Sequence, residues 1–222
     1  PPSLFDDLSL FGTDGEKGAP PPYLSYVFPY SGAVVFRDSW SKDAVWGYVD
    51  MSPFGRGHQH EDKLNFLLFA YGKEMLCEGG NYAYDTSEMR KYVISTRAHN
   101  TIMIDGKEQN ARKTWKWKPE MLHQKADIRA SLTPEVDSAE STFALGYGRG
   151  KDYSNAVSHT RKVEFVKNCG APFFRITDTL KATDAKDFRF LSARGSDRVF
   201  FGCDKGIAIL YDDGNRDENG KY

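Results

Sequence analysis

Cysteine, long apolar runs and an excess of charge of either sign are all scarce in this chain, and each scarcity closes off a class of protein. Its three cysteines, Cys77, Cys169 and Cys203, are too few and too scattered for a disulfide framework. They also lack the paired short spacings of a zinc ribbon, and read as small apolar thiols. No run approaches the roughly 18 apolar residues that a membrane span requires. No basic segment followed by an apolar one opens the sequence, so no signal peptide is read from it. Lys and Arg number 30 against 31 Asp and Glu, a net charge of -1, without the broad basic field of a nucleic-acid binder. There is no Gly-x-Ser-x-Gly elbow for a serine hydrolase, and the glycine-rich stretch Gly146 to Tyr153 lacks the spacing of a phosphate loop. The chain opens on Pro1-Pro2 with no methionine, and is expected to be part of a longer polypeptide.

What the sequence does have is aromatic residues, 14% of the total, and 20 glycines, a combination that favours strands and turns over helices. Residues 1–25 hold five of the ten prolines without any sustained period and read as a linker or a strap over a neighbouring domain. From Tyr26 the texture changes to short apolar or alternating runs. Ala33 to Phe36, Ala44 to Val49, Leu64 to Tyr71, Thr101 to Ile104, Val163 to Val166, Phe173 to Ile176, Phe188 to Leu191 and Ile207 to Leu210 are all strand-length. Leu64 to Tyr71 runs through Gly72-Lys73 into Glu74 to Cys77 as a hairpin, and Asp105-Gly106 is a second strong turn signal. Only Thr86 to Ser95 has the makings of a short helix. The expectation is one all-β domain of stacked antiparallel sheets, sandwich-like, over residues 26–222, its sheet incomplete at the polar C-terminal end.

Against that background the histidines stand out. His58 and His60 are two apart just before a strand, and in an extended chain both rings face one side. Antiparallel pairing of the following hairpin returns Glu78 to the neighbourhood of His60, and His99 immediately precedes another strand. His60, Glu78 and His99 therefore make a two-histidine, one-carboxylate set with a position left over for water or a ligand. Asp62 is a candidate to brace those ligands from behind. Each also has an ordinary reading: Glu78 as a solvated strand end, His99 as a turn residue, Asp62 as an Asx-turn former. The cupin pattern, which shares the His-x-His opening, fails because Glu61 and Asp62 follow at once and Lys63-Leu64-Asn65 occupy the positions where its glutamate belongs. Tyr82, Tyr84 and Arg90 offer two amphipathic rings and a cation suited to an acidic sugar, or simply a packed surface loop. In Lys113 to Lys118 basic and aromatic residues alternate, so that Trp115 and Trp117 share a face on a strand, either to stack on sugars or to fill a core.

The stretch from Pro29 to Gln109 resembles, element by element, the C-terminal β-domain of the heparinase II/III-like polysaccharide lyases, whose relatives include enzymes acting on alginate. The resemblance rests on Arg37-Asp38-Ser39-Trp40, on Gly57-His58-Gln59-His60-Glu61-Asp62, on Gly80-Asn81-Tyr82-Ala83-Tyr84 and on Ser95 to Thr101 leading to Asp105-Gly106. It implies a two-part enzyme, an N-terminal (α/α) toroid followed by stacked β-sheets with the active site in the cleft between, of which this chain is the second part. Such enzymes cleave uronate-containing polysaccharides by β-elimination. Carried over by position, the metal ligands fall on His60, Glu78 and His99, and the catalytic histidine on His58. The family more often has Asp in the middle place, and Glu78 is one methylene longer. The Asn and Tyr that complete the site belong to the toroid.

The expectations that follow are an acidic polysaccharide or oligosaccharide as substrate, a divalent metal, zinc first, as cofactor, and the helical toroid as partner, with neither nucleic acid nor a membrane span involved. The resemblance also implies a periplasmic or secreted location. By itself the chain is expected to be inactive, with half the cleft elsewhere. The alternative from another class is a non-catalytic sugar-binding or scaffold module with a structural metal. A metal-dependent oxygenase using the same three ligands is a third reading.

Overall fold

A computed structural model describes residues 20–181 apart from 56, 111–115 and 169, together with the backbone of 182, 188–190, 199–203 and 206–210. Residues 1–19 of the expected strap, Trp115 and the C-terminal loop lie outside the described residues. The strands form two principal antiparallel sheets. The first is a meander of β1 (Tyr26–Val27), β2 (Ala33–Arg37), β3 (Trp46–Asp50), β4 (Phe66–Ala70) and β5 (Lys73–Leu76), paired in chain order. A short pair follows, made by β6 (Ile102–Ile104) with the later β11 (Phe188–Phe190). The second large sheet holds β7 (Arg129–Leu132), β8 (Val136–Phe143), β9 (Val157–Val166) and β10 (Phe173–Ala182), ordered β10-β9-β8-β7. Strands β12 (Val199–Cys203) and β13 (Gly206–Leu210) pair with each other. The architecture is thus the stacked antiparallel one expected.

Alternation along each strand decides which side is buried. Val34 and Phe36 of β2, Val49 of β3 and Phe66 of β4 face Ala139 and Phe143 of β8 and Val163 and Phe165 of β9, in one apolar cluster. Phe174 is the joint between the sheets. Its ring stacks on Phe165 with centroids 4.5 Å apart and meets Phe66 at 5.1 Å and Phe36 at 5.9 Å. Gly47 sits in the middle of β3 because that ring lies against its backbone: a Cβ there would come within 2.8 Å of both Phe174 and Phe66. Full burial of each such aromatic side chain contributes about 1.5–3 kcal/mol.

Two tight turns fix the registers. Tyr71 (φ 54°) and Gly72 (φ 73°) connect Ala70 to Lys73, and Asp105 (φ 52°) and Gly106 (φ 68°) connect Ile104 to Lys107. Positive φ at both central residues is the hairpin geometry that matches the twist of the strands. The first turn therefore sits at Tyr71-Gly72, one residue before the Gly72-Lys73 expected from sequence. The helix expected at Thr86 to Ser95 is a short one, α1 (Glu88–Val93). The Ser87 hydroxyl caps it by accepting the Arg90 N–H at 3.2 Å, and Asp85 Oδ1 in turn accepts from Ser87. A single 3₁₀ turn, Thr96–Ala98, follows and delivers His99 into the interior.

Candidate functional site

The histidine loop is not a strand. His58 adopts φ 57°, in the left-handed region, so the two-residue spacing does not set its ring beside that of His60. Each ring finds a different partner. The His60 and His99 rings tilt towards each other with centroids 5.4 Å apart, whereas His58 meets Tyr84 edge to face at 5.7 Å.

His60, Asp62 and His99 converge. Each offers one ligand-type atom, and the three atoms lie within 4.8 Å of one another. Burial holds the His60 imidazole below its ordinary pKa, against the upward pull of Asp62, and so favours the neutral ring that ligates metals. His99 is fully buried. Its Nδ1 lies 2.6 Å from Glu78 Oε1, while its Nε2 and Asp62 Oδ1 are buried without a hydrogen-bond partner. Asp62 Oδ1 has one long ion-pair contact, 3.5 Å to Lys63 Nζ. With Nδ1 turned to Glu78, His99 Nε2 offers a lone pair, as does Asp62 Oδ1; two such buried atoms without hydrogen bonds beside a neutral imidazole are what a cation would satisfy, and the donor set suits zinc or its neighbours.

Hairpin pairing does return Glu78 to the start of β4, but its carboxylate is occupied there. Oε1 takes His99 Nδ1 and the Gly79 N–H at 2.8 Å, and Oε2 accepts the Asn65 amide at 2.5 Å. In this geometry Asp62 groups with the two rings, and Glu78, the carboxylate expected among the ligands, stands behind His99. The reason is local, since Asn65 and the Gly79 backbone hold Glu78 against Nδ1.

Five residues that sequence reasoning missed build the frame. Asn65, with its Oδ1, accepts the Asn100 N–H at 2.8 Å, and Asn100 Nδ2 donates to the Cys77 carbonyl at 2.9 Å. Gln109 straddles Lys63, accepting its N–H at 2.8 Å and donating to its carbonyl at 2.9 Å. Lys63 Nζ in turn binds Asp50 at 2.6 Å and Ser52 at 2.8 Å. Burial alone would lower the Lys63 pKa, but Asp50 and Asp62 overcome that and raise it, so the ammonium stays charged. Arg161, fully buried on β9, reaches across from the second sheet. Its Nη1 donates to the Leu64 carbonyl at 2.6 Å and the Asn100 carbonyl at 2.7 Å, while Nε and Nη2 grip Asp178 at 2.7 and 2.9 Å. One guanidinium thus fastens the loop before β4 and the segment before β6 to the other sheet.

At the surface beside this cluster, Tyr84 Oη lies 3.0 Å from His58 Nδ1, leaving Nε2 without a partner among the described residues. The Arg90 guanidinium lies over the Tyr84 ring at 4.6 Å and donates to the Asn81 carbonyl at 2.6 Å. Exposed Tyr84 and His58 and half-buried Arg90 therefore form one group. Tyr82 is 54% exposed and makes no hydrogen bond to it among the described residues. Trp117 is half-buried in irregular chain just before a 3₁₀ turn, Pro119–His123, rather than on a strand.

Comparison with known proteins gives a consistent picture. Residues 20–210 match the family model described as "Heparinase II/III-like, C-terminal". A heparin-sulfate lyase of Bacteroides stercoris is 35% identical over 179 residues, covering 78% of this chain and 23% of the relative. A heparin-sulfate lyase of Pedobacter heparinus is 30% identical over 214 residues, covering 94% of this chain and 29% of the relative. Among solved structures, a heparan sulfate lyase from Pedobacter heparinus superposes with a TM-score of 0.64 at 22% identity, over 88% of this chain and 28% of that one. A heparinase III gene product gives 0.61 at 24% identity, over 82% and 26%. The chain spans about a quarter of the length of these relatives. No helix among the described residues is long and apolar enough to cross a membrane.

Proposed function

Because the chain belongs to the heparinase II/III-like, C-terminal family, we propose that it forms one wall of the active cleft of a polysaccharide lyase that cleaves acidic, uronate-containing polymers by β-elimination. The relatives named as heparin-sulfate lyases make heparin and heparan sulfate the first polymers to try. A helical domain preceding this one and a location outside the cytoplasm, where such polymers occur, are part of the same proposal. The observation that supports the reading most directly is His58, exposed two residues before the half-buried His60 of a metal-type cluster, with Nδ1 engaged by Tyr84 and Nε2 left outside that contact.

β-Elimination removes the proton on the carbon next to the uronate carboxylate and breaks the neighbouring carbon–oxygen bond, leaving an unsaturated sugar. An ionised carboxylate resists a second negative charge building beside it, so a donor must neutralise it as the proton leaves. His58 suits either that donation or the proton transfer itself. Arg90 and Tyr84 would hold the anionic sugar against it, and Tyr82 adds a further exposed ring.

Within this proposal His60, Asp62 and His99 hold a divalent cation, zinc first, and Glu78 orients the His99 ring. Bound there, the ion would cross-link the histidine loop to the segment before β6. Glu78→Gln then weakens cation binding by about 10–100-fold, and Asp62→Asn by more, as read by metal titration of the folded protein. Equal and complete loss in both variants would make Glu78 a ligand after all.

The direct test is the intact protein on a panel of uronate polymers, followed by the ultraviolet absorbance of the unsaturated product. A bound metal with no such product on any polymer would favour the non-catalytic module instead.

A further inference from the structure

The Trp117 segment, left without a role by the cluster above, closes a second concavity. The chain from Pro119 to His123 makes a 3₁₀ turn and is then tied back by the Ala126 N–H, which donates to the Pro29 carbonyl at 2.7 Å. Between this flap and the loop ahead of His58 lies a cavity of about 270 Å³, lined by Tyr30, Phe54, Gln59, Trp117, Leu122 and Gln124 among others.

Its position is the first point of interest. Gln59 is the residue between His58 and His60, so this cavity shares a wall with the loop that holds the candidate catalytic ring. Gly55 makes room for that wall. A Cβ at Gly55 would come 3.1 Å from the Gln59 amide nitrogen, which instead donates to the Gly57 carbonyl at 3.3 Å.

Its chemistry is the second. Tyr30, 57% exposed, and the half-buried Trp117 offer flat apolar faces, while Gln59 and Gln124 offer amides able both to donate and to accept. No carboxylate lines it among the described residues. A cation stands beside it: Lys125 Nζ lies 5.9 Å from the Tyr30 ring centroid. Flat apolar walls with a few two-way hydrogen-bonding groups fit a sugar ring, and the Lys125 ammonium beside Tyr30 favours one that bears a carboxylate or sulfate. The volume falls below the roughly 300–1,000 Å³ of drug-sized pockets, a scale suited to one residue of a polymer.

We propose that this cavity is a saccharide subsite that binds a single anionic pyranose residue, next along the polymer from the residue held at His58. The proposal rests on the lyase reading for the identity of the polymer, and its test separates the two.

The experiment uses the intact protein and size-defined heparan sulfate oligosaccharides, with calorimetric binding and product absorbance measured in parallel. Trp117→Ala and Gln124→Ala each weaken binding of the longer oligosaccharides about tenfold and raise KM more than they lower kcat. Lys125→Gln flattens the dependence of binding on salt. Disaccharides that fill only the His58 end lose little. Gln124 and Lys125 are exposed, so their variants fold even if Trp117→Ala does not. If unsaturated product forms and the Gln124 and Lys125 variants bind and turn over like the parent, the subsite is wrong and the lyase reading stands. If no product forms but an oligosaccharide binds and these variants weaken it, the subsite stands and the lyase reading is wrong. Absence of any oligosaccharide binding overturns both.

Discussion

Replacing His58 with Ala in the intact protein lowers kcat on a uronate polymer by about 10²–10⁴-fold, the range for loss of a positioned proton donor or acceptor, while bound metal is retained. The two halves of this expectation come from one geometric fact. His60 and His99 turn towards each other, and His58 turns away to Tyr84. Truncating His58 therefore removes no atom from the metal-type cluster. It leaves the Tyr84 hydroxyl with only Asn81 Nδ2, 3.5 Å away, an exposed group that water satisfies readily. A uniform rise in KM with kcat unchanged would mean that His58 only binds substrate. Near-normal turnover with metal in place would remove it from the chemistry altogether. Tyr84→Phe, which keeps the ring under Arg90 but deletes the hydroxyl at Nδ1, lowers kcat by a smaller factor and leaves substrate binding nearly intact.

The stacked-sheet fold was legible because its strands alternate and its turns use glycine where positive φ is needed. The hairpin that brings Glu78 back towards the start of β4 was legible for the same reason. Two steps of the site were not. The first is the path of the histidine loop: the two-residue rule holds only for extended chain, and a left-handed φ at His58, a residue with a Cβ, leaves no mark in the sequence. The second is the frame. Asn65, Asn100 and Gln109 are ordinary polar residues in one dimension, and their value lies in contacts spanning 35 and 46 positions along the chain. Arg161 did leave a trace. In β9 the buried positions are Val157, His159, Arg161, Val163 and Phe165, and the two polar residues among them cut the apparent apolar run back to Val163. Read with a strict period of two, that interruption marks a charge on an inward face, which a fold retains only with a partner.

That partner makes Arg161→Ala the most damaging single change expected in the described structure. Breaking a buried ion pair by deleting one member costs about 3–5 kcal/mol, here a large part of the whole stability of a domain. The deletion strands Asp178, frees the Leu64 and Asn100 carbonyls and releases the loops that carry Asp62 and His99, so cation affinity falls with stability. The pH dependence identifies the ion pair as the cause. Burial would by itself raise the Asp178 pKa, but Arg161, together with the hydrogen bond to His159, holds it far below the usual carboxylate range. Its contribution is therefore complete above the unfolded value of about 3.9 and is lost as pH falls below it. Burial likewise holds the His159 imidazole low, against Asp178, so the unfolded chain takes up that proton first and stability also declines below about pH 6.5. Without Arg161 both shifts shrink, Asp178 losing its counter-charge and His159 a repelling one. The stability gap between parent and Arg161→Ala, measured by urea denaturation, is accordingly widest near neutral pH and narrows as pH drops through 4. A gap that stays constant across that range would assign the loss to the two carbonyl contacts and the cavity, with the Asp178 pairing contributing nothing.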